Sequence, residues 1–180
     1  MKKEKLSKAI TGNFGLFYVC CELSRRGFIA TPTARNTEAI DLFVAKPGFA
    51  KSLTVQVKSR LSHVGEDLAE KGKNVVDPDL AVTRERAEEE AKRADFWVFV
   101  YCSMDGDKIS ASTPEVFVCR GDDKGRVRLI ECHSSECGFY PYRKTTKRKG
   151  GKDRTKIHEK WQKQKGDAGW KLITDALNAS

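Results

Sequence analysis

Apolar residues recur every three to four positions between Thr11 and Arg26, at Phe14, Leu16, Val19, Cys20 and Leu23. That period predicts an amphipathic helix, and Gly27 is its natural stop. Gly12 and Gly15 are costly inside a helix and imply that its start closely approaches another backbone. The rhythm then shortens to two. Phe28–Thr31, Ala39–Ala45 and Lys51–Ser59 read as strands, the third alternating Leu53, Val55 and Val57 with Thr54, Gln56 and Lys58. The tight Pro47-Gly48 turn makes the second and third strands antiparallel. A long polar stretch, Arg60–Asp79, reads as a loop. Ala81–Arg93 reads as a charged helix, and the unbroken apolar run Phe96–Cys102 as a buried central strand. The long crossover between the third and fourth strands makes that pair parallel. Further along, Lys108–Ser112 and Arg126–Glu131 read as strands. Thr113-Pro114-Glu115 has the form of a helix start, and Ile157–Gln164 and Gly169–Leu177 read as helical. The order αβββαβ is that of a mixed α/β domain.

Charge adds a second level of organisation. The chain has 180 residues and a formal net charge of +9. From Arg143 to Lys165 there are eleven Lys/Arg against two Asp/Glu, and the remaining residues carry 23 of each sign. The whole excess therefore sits in one tract. Such a tract favours a polyanion, and nucleic acid is the common one; a solvated tail has the same composition. Residues 1–10 read as a basic lead-in, 11–140 as one domain, and 141–180 as a basic, partly helical C-terminal extension. There is no apolar run long enough for a membrane span and no signal-peptide pattern, so the expected location is cytoplasmic. The six cysteines are then expected to stay reduced, with the adjacent Cys20 and Cys21 as buried thiols.

The candidate chemistry lies on the hairpin. Gln56 and Lys58 are two apart on one strand and so share a face, about 7 Å apart. Asp41 starts the neighbouring strand and can come alongside them. A carboxylate, an amide oxygen and a backbone carbonyl are hard ligands that suit Mg²⁺ or Mn²⁺. A lysine beside them can orient the attacking water and offset charge developing on a phosphate. Taken alone, the spacing is better explained by the solvent face of a half-exposed sheet, because acidic and basic residues at such spacing are common.

The surrounding residues point further. Gly12-x-x-Gly15 opens the first helix, and Glu22-Leu23-x-x-Arg26-Gly27-Phe28 closes it. Arg35-Asn36 precedes Ile40-Asp41, and Val55-Gln56-Val57-Lys58-Ser59 ends the third strand. In this order and spacing, residues 11 to 60 resemble small PD-(D/E)XK nucleases, a group that includes Holliday-junction resolvases, some restriction endonucleases and an intron-encoded homing endonuclease group. The resemblance implies a restriction-endonuclease-like core, a four-stranded mixed sheet flanked by helices, with C-terminal additions. It implies metal-dependent hydrolysis of DNA phosphodiesters. Asp41, Gln56 and the Val57 carbonyl would be the metal ligands, and Lys58 the motif lysine. Asn36, Glu38, Ser59 and Glu22 would be candidates for an outer hydrogen bond or an extra ligand. Arg35, Arg60, Arg143, Lys144, Lys147, Arg148, Lys149, Lys152 and Arg154 would meet the nucleic acid backbone. Relatives commonly act as dimers, so a homodimer is expected.

Two positions depart from the pattern. Gln56 is neutral where most relatives have Glu or Asp. Leu16 stands where many place Glu directly after the second helix glycine. The alternative reading is therefore a catalytically inactive nuclease-fold DNA-binding or assembly protein, and a third is an RNA-binding protein led by the basic tract. Cys132, His133 and Cys137, with Cys119 or Cys102, form a weaker zinc candidate that scattered reduced cysteines explain better. Trp161 and Trp170 read as tryptophans packed on the domain.

Overall fold

The computed structural model describes residues 8–34, 40–48, 51–62, 82–83, 93–105, 108–121, 136–137 and 163–179. Its elements are α1 (Lys8–Arg25), β1 (Ile29–Pro32), β2 (Leu42–Ala45), β3 (Ser52–Ser62), β4 (Val82–Thr83), β5 (Phe96–Asp105), β6 (Lys108–Ile109), β7 (Glu115–Arg120), β8 (Glu136–Cys137) and α2 (Asp167–Asn178). Six strands form one mixed sheet in the order β1-β2-β3-β5-β6, with β7 also paired to β5. β1, β2 and β3 are an antiparallel meander. β3 and β5 run parallel from Val55↔Phe96 to Ser62↔Ser103, as the crossover rule predicts. β4 and β8 pair separately.

The sheet has two unlike faces. One carries Leu42, Val44, Val55, Val57, Val98, Val100, Val116 and Val118, which pack with Val19 and Leu23 of α1 and Trp170, Ile173 and Leu177 of α2. Each fully buried aliphatic side chain there stabilises the fold by about 1.5–3 kcal/mol. α2 thus belongs to the same core as residues 11–140, and the sequence boundary at 141 does not divide the hydrophobic packing. Arg26 couples the two helices: it donates to Glu22 at 2.5 Å and Asp167 at 3.0 Å, and lies 5.0 Å over the Trp170 ring.

Several expectations are corrected. Thr113-Pro114-Glu115 opens a strand, because Val116–Cys119 pairs antiparallel with the open edge of β5. Tertiary pairing outweighs the local helix-start signal. Val82–Thr83, expected at the start of the charged helix, forms strand β4, while 84–92 lie outside the described residues. So do the expected strand 126–131 and residues 157–162; Gln164 and Gly166 bond β7. The sheet has six strands rather than four, and among the described residues both helices lie on one face. No described helix is long and apolar enough to cross a membrane.

Gly15 explains half of the glycine pair. A Cβ there would lie 1.8 Å from Ser59 Oγ and 2.6 Å from Ser59 Cβ, whereas at Gly12 it would meet nothing within 4 Å. The close approach is to a side chain of β3, and it sets how near α1 sits to the sheet.

Gly15→Ala should cost about 1–3 kcal/mol by overpacking, read from denaturant melts. Adding Ser59→Gly should recover part of the loss, which a clash elsewhere would not show. Cys102 is buried on the helix-covered face, and desolvation pushes its thiol up to about 11. Thiol reagents at pH 8 should therefore label the exposed Cys21 well before Cys102; equal rates would contradict this burial.

Candidate metal-dependent phosphodiester site

The alternation of β3 sends Val55 and Val57 into the core and turns Gln56 and Lys58 to the far face. The antiparallel register, Leu42↔Val55, then sets Asp41 beside Gln56, one step before β2 begins. Asp41 is held at both backbone groups. Its N–H donates to the Val55 carbonyl at 3.0 Å, and its carbonyl accepts the Thr33 N–H at 2.9 Å. The Thr33 hydroxyl donates to the Ile40 carbonyl at 2.6 Å, securing the chain just upstream.

The Asp41 carboxylate is held too. Oδ2 accepts Gln56 Nε2 at 2.5 Å and the Val57 N–H at 2.7 Å. In an extended strand the carbonyl of a residue points to the same edge as its N–H, so the Val57 carbonyl also faces this edge. Gln56 is 5% exposed, and among the described residues its Oε1 has no hydrogen-bond partner. Leaving a buried acceptor unpaired costs about 1–3 kcal/mol, so Oε1 is a group that a ligand would satisfy. Lys58 is half-buried on the same face, with its ammonium 5.5 Å from the centre of the Trp97 ring.

The site lies at a boundary on this face. Phe43, on β2, is 49% exposed and Ile29, on β1, is also exposed, whereas Trp97, Phe99 and Phe117 of β5 and β7 are buried. Asp41, half-buried, sits where the covered part of the sheet gives way to the open part. Trp97 stands opposite Gln56 in the parallel ladder, so Asp41, Gln56 and Trp97 form one row across three strands.

Other candidates fall elsewhere. Ser59 is on the helix-covered face beneath Gly15, away from Asp41, because it is one residue out of phase with Lys58. Glu22 is buried against the helix layer, where Arg25 donates to it at 2.8 Å and Arg26 at 2.5 Å; it is a structural anion between helices, not a ligand beside Asp41. Leu16 packs against the core. Arg60 is half-buried on the Lys58 face. Arg35, Asn36, Glu38 and the basic positions Arg143, Lys144, Lys147, Arg148, Lys149, Lys152 and Arg154 lie outside the described residues, as does Trp161. The end of the basic tract is described. Gln164 and Gly166 bond the backbone of β7, and Lys165 pairs with Glu115 at 2.9 Å on the Asp41 face of the sheet. That anchor is three strands from β2, about 14 Å.

The zinc candidate lies largely outside the described residues. Cys102 and Cys119 point to opposite faces, since β5 alternates and Cys119 pairs with Trp97. Cys132 and His133 lie outside the described residues. Among the described residues no three His, Cys, Asp or Glu side chains are grouped to hold a metal. The adjacent thiols differ from expectation: Cys21 is exposed and Cys20 half-buried. Sequence reasoning missed Thr33 and Trp97 as neighbours of the site. The signal for Trp97 was present, because alternation within the run FWVFVYC sets it on the same face as Gln56 once β3 and β5 pair in parallel.

No protein-family model and no curated protein matches the chain. Among solved structures, the chain is similar to a bacterial homing endonuclease at 17% sequence identity, with a TM-score of 0.48 over 97% of this chain and 100% of that one.

Proposed function

We propose that this protein is a divalent-metal-dependent endonuclease that hydrolyses DNA phosphodiester bonds at Asp41, Gln56 and Lys58. The observation that carries the reading is the placement of these side chains on one sheet face, with Gln56 Oε1 buried beside the Asp41 carboxylate and, among the described residues, unpaired. The resemblance of residues 11–60 to PD-(D/E)XK nucleases supports it as well.

The donor set fits Mg²⁺ or Mn²⁺. Asp41, Gln56 Oε1 and the Val57 carbonyl are all hard oxygens. Only Asp41 among them is charged, so binding leans on substrate phosphates, and one ion suits the set better than two. When bound, the cation supplies Lewis-acid stabilisation of charge on the phosphoryl group. The chain's own residues do the rest. Lys58 presents up to three N–H donors from Nζ, which orient the attacking water and offset negative charge as it builds. The clasp of Gln56 and Val57 on Oδ2 keeps the aspartate in one orientation. The basic tract, anchored on the Asp41 face, would grip the DNA backbone without reading sequence.

One observation favours the second reading, a DNA-binding protein that kept the fold and lost turnover. Leu16 packs against the core and Glu22 is paired with arginines, so α1 offers the site no carboxylate.

A plasmid-cleavage panel with Mg²⁺ and Mn²⁺ separates the two. The wild type should nick or linearise DNA, and Asp41→Ala and Lys58→Ala should each lower the rate about 10²–10³-fold, the scale of losing one transition-state contact. Salt-sensitive DNA binding without cleavage in either metal would leave only the second reading. Gln56→Glu should tighten Mn²⁺ binding, measured by calorimetry, because it adds a second charged oxygen ligand. Unchanged Mn²⁺ affinity in this variant would remove Gln56 from the ligand set.

A further inference from the structure

Lys58 faces the aromatic residues of β5. Its register partner across the β3–β5 ladder is Phe99, yet its ammonium lies over the ring of Trp97, the partner of Gln56. The ammonium thus contacts a ring that belongs to the row of Asp41 and Gln56. Lysine is a point charge on a flexible four-carbon stem, and nothing in the stem itself holds that pose. Trp97 can. It is 1% exposed and stacked on Phe99 at 6.1 Å between centroids. The face of an indole is the strongest of the aromatic cation sites.

We propose that Trp97 is a positioning residue of the phosphodiester site: its ring holds the Lys58 ammonium in the Asp41–Gln56 row by a cation–π contact. The inference rests on the nuclease reading above and adds a residue to it. Trp97 need not touch DNA, so its loss should act on turnover rather than on substrate binding. It is the ring face that matters, since among the described residues the buried indole N–H has no hydrogen-bond partner.

The full-length protein tests this with two variants and one spectrum. In the wild type, the ε-methylene protons of Lys58, assigned by their loss in Lys58→Arg, should resonate upfield of the other lysines through the ring current. Trp97→Phe keeps a ring and should keep both the upfield signal and kcat to within about threefold. Trp97→Leu should lose the signal and about tenfold in kcat, with KM for plasmid DNA unchanged. Trp97→Phe remains informative should the leucine variant fail to fold. An ordinary Lys58 signal in a cleaving wild type overturns the inference alone, as does Trp97→Leu with wild-type kcat or Trp97→Phe with a loss of tenfold or more. An upfield signal in a wild type that cleaves no DNA sinks the nuclease reading, while the Lys58–Trp97 contact stands.

Discussion

The parallel pairing of β3 with β5 is the constraint on which the rest of the molecule depends. It joins segments separated by more than thirty residues, and it sets which side chains share a face across the sheet. With Val55 opposite Phe96, every valine of both strands falls on the helix-covered side, and Gln56 and Lys58 fall with Trp97 and Phe99 on the other. A slip of one residue would invert all of these assignments together. The register is pinned at its start by a reciprocal clasp. The Thr54 N–H donates to Asp95 Oδ2 at 2.7 Å, and the Asp95 N–H donates to Thr54 Oγ1 at 3.0 Å.

From that register the site follows almost without choice. β2 adds to the other edge of β3 and stops at Leu42, so Asp41 stands where the ladder ends. Its carboxylate then takes over the bonding that a further strand residue would have done, accepting the Val57 N–H. The same oxygen holds the Gln56 amide nitrogen, which leaves the amide oxygen buried and, among the described residues, unpaired. A buried polar group without a partner is destabilising. A ligand bound beside the carboxylate would satisfy it. On the opposite side, α1 reaches the sheet closely because Gly15 has no side chain to meet Ser59.

Charge is divided along the same line. The helix layer uses its ions internally: Glu22, Arg25, Arg26 and Asp167 satisfy one another between α1 and α2. Where the basic tract ends, the chain bonds to β7 and places Lys165 over Phe117, on the side of the sheet that carries Asp41. One face is thus closed by apolar packing and paired charge, and the other carries the groups that have chemistry to offer.

Much of this was legible from residue order. Period-two alternation placed β3, its Pro-Gly turn made the hairpin, and the long apolar run marked β5, because these signals are local and strong. The pairing of Asp41 with Gln56, on the face that also carries Lys58, could be read too, since a hairpin register follows from its turn. Position β7 could not: Thr-Pro-Glu looks like a helix start, and only the unfilled edge of β5 overrides it. Nor could the roles of Ser59 and Glu22. Both belong to motifs that local spacing groups with the site, but the side of the sheet on which α1 docks removes them from it. Residue order by itself determined which atoms were available for chemistry, because identity and alternation are properties of a single strand. Tertiary structure alone decided which of them meet, because that depends on a parallel register and a helix packing distance set by residues far apart in the chain.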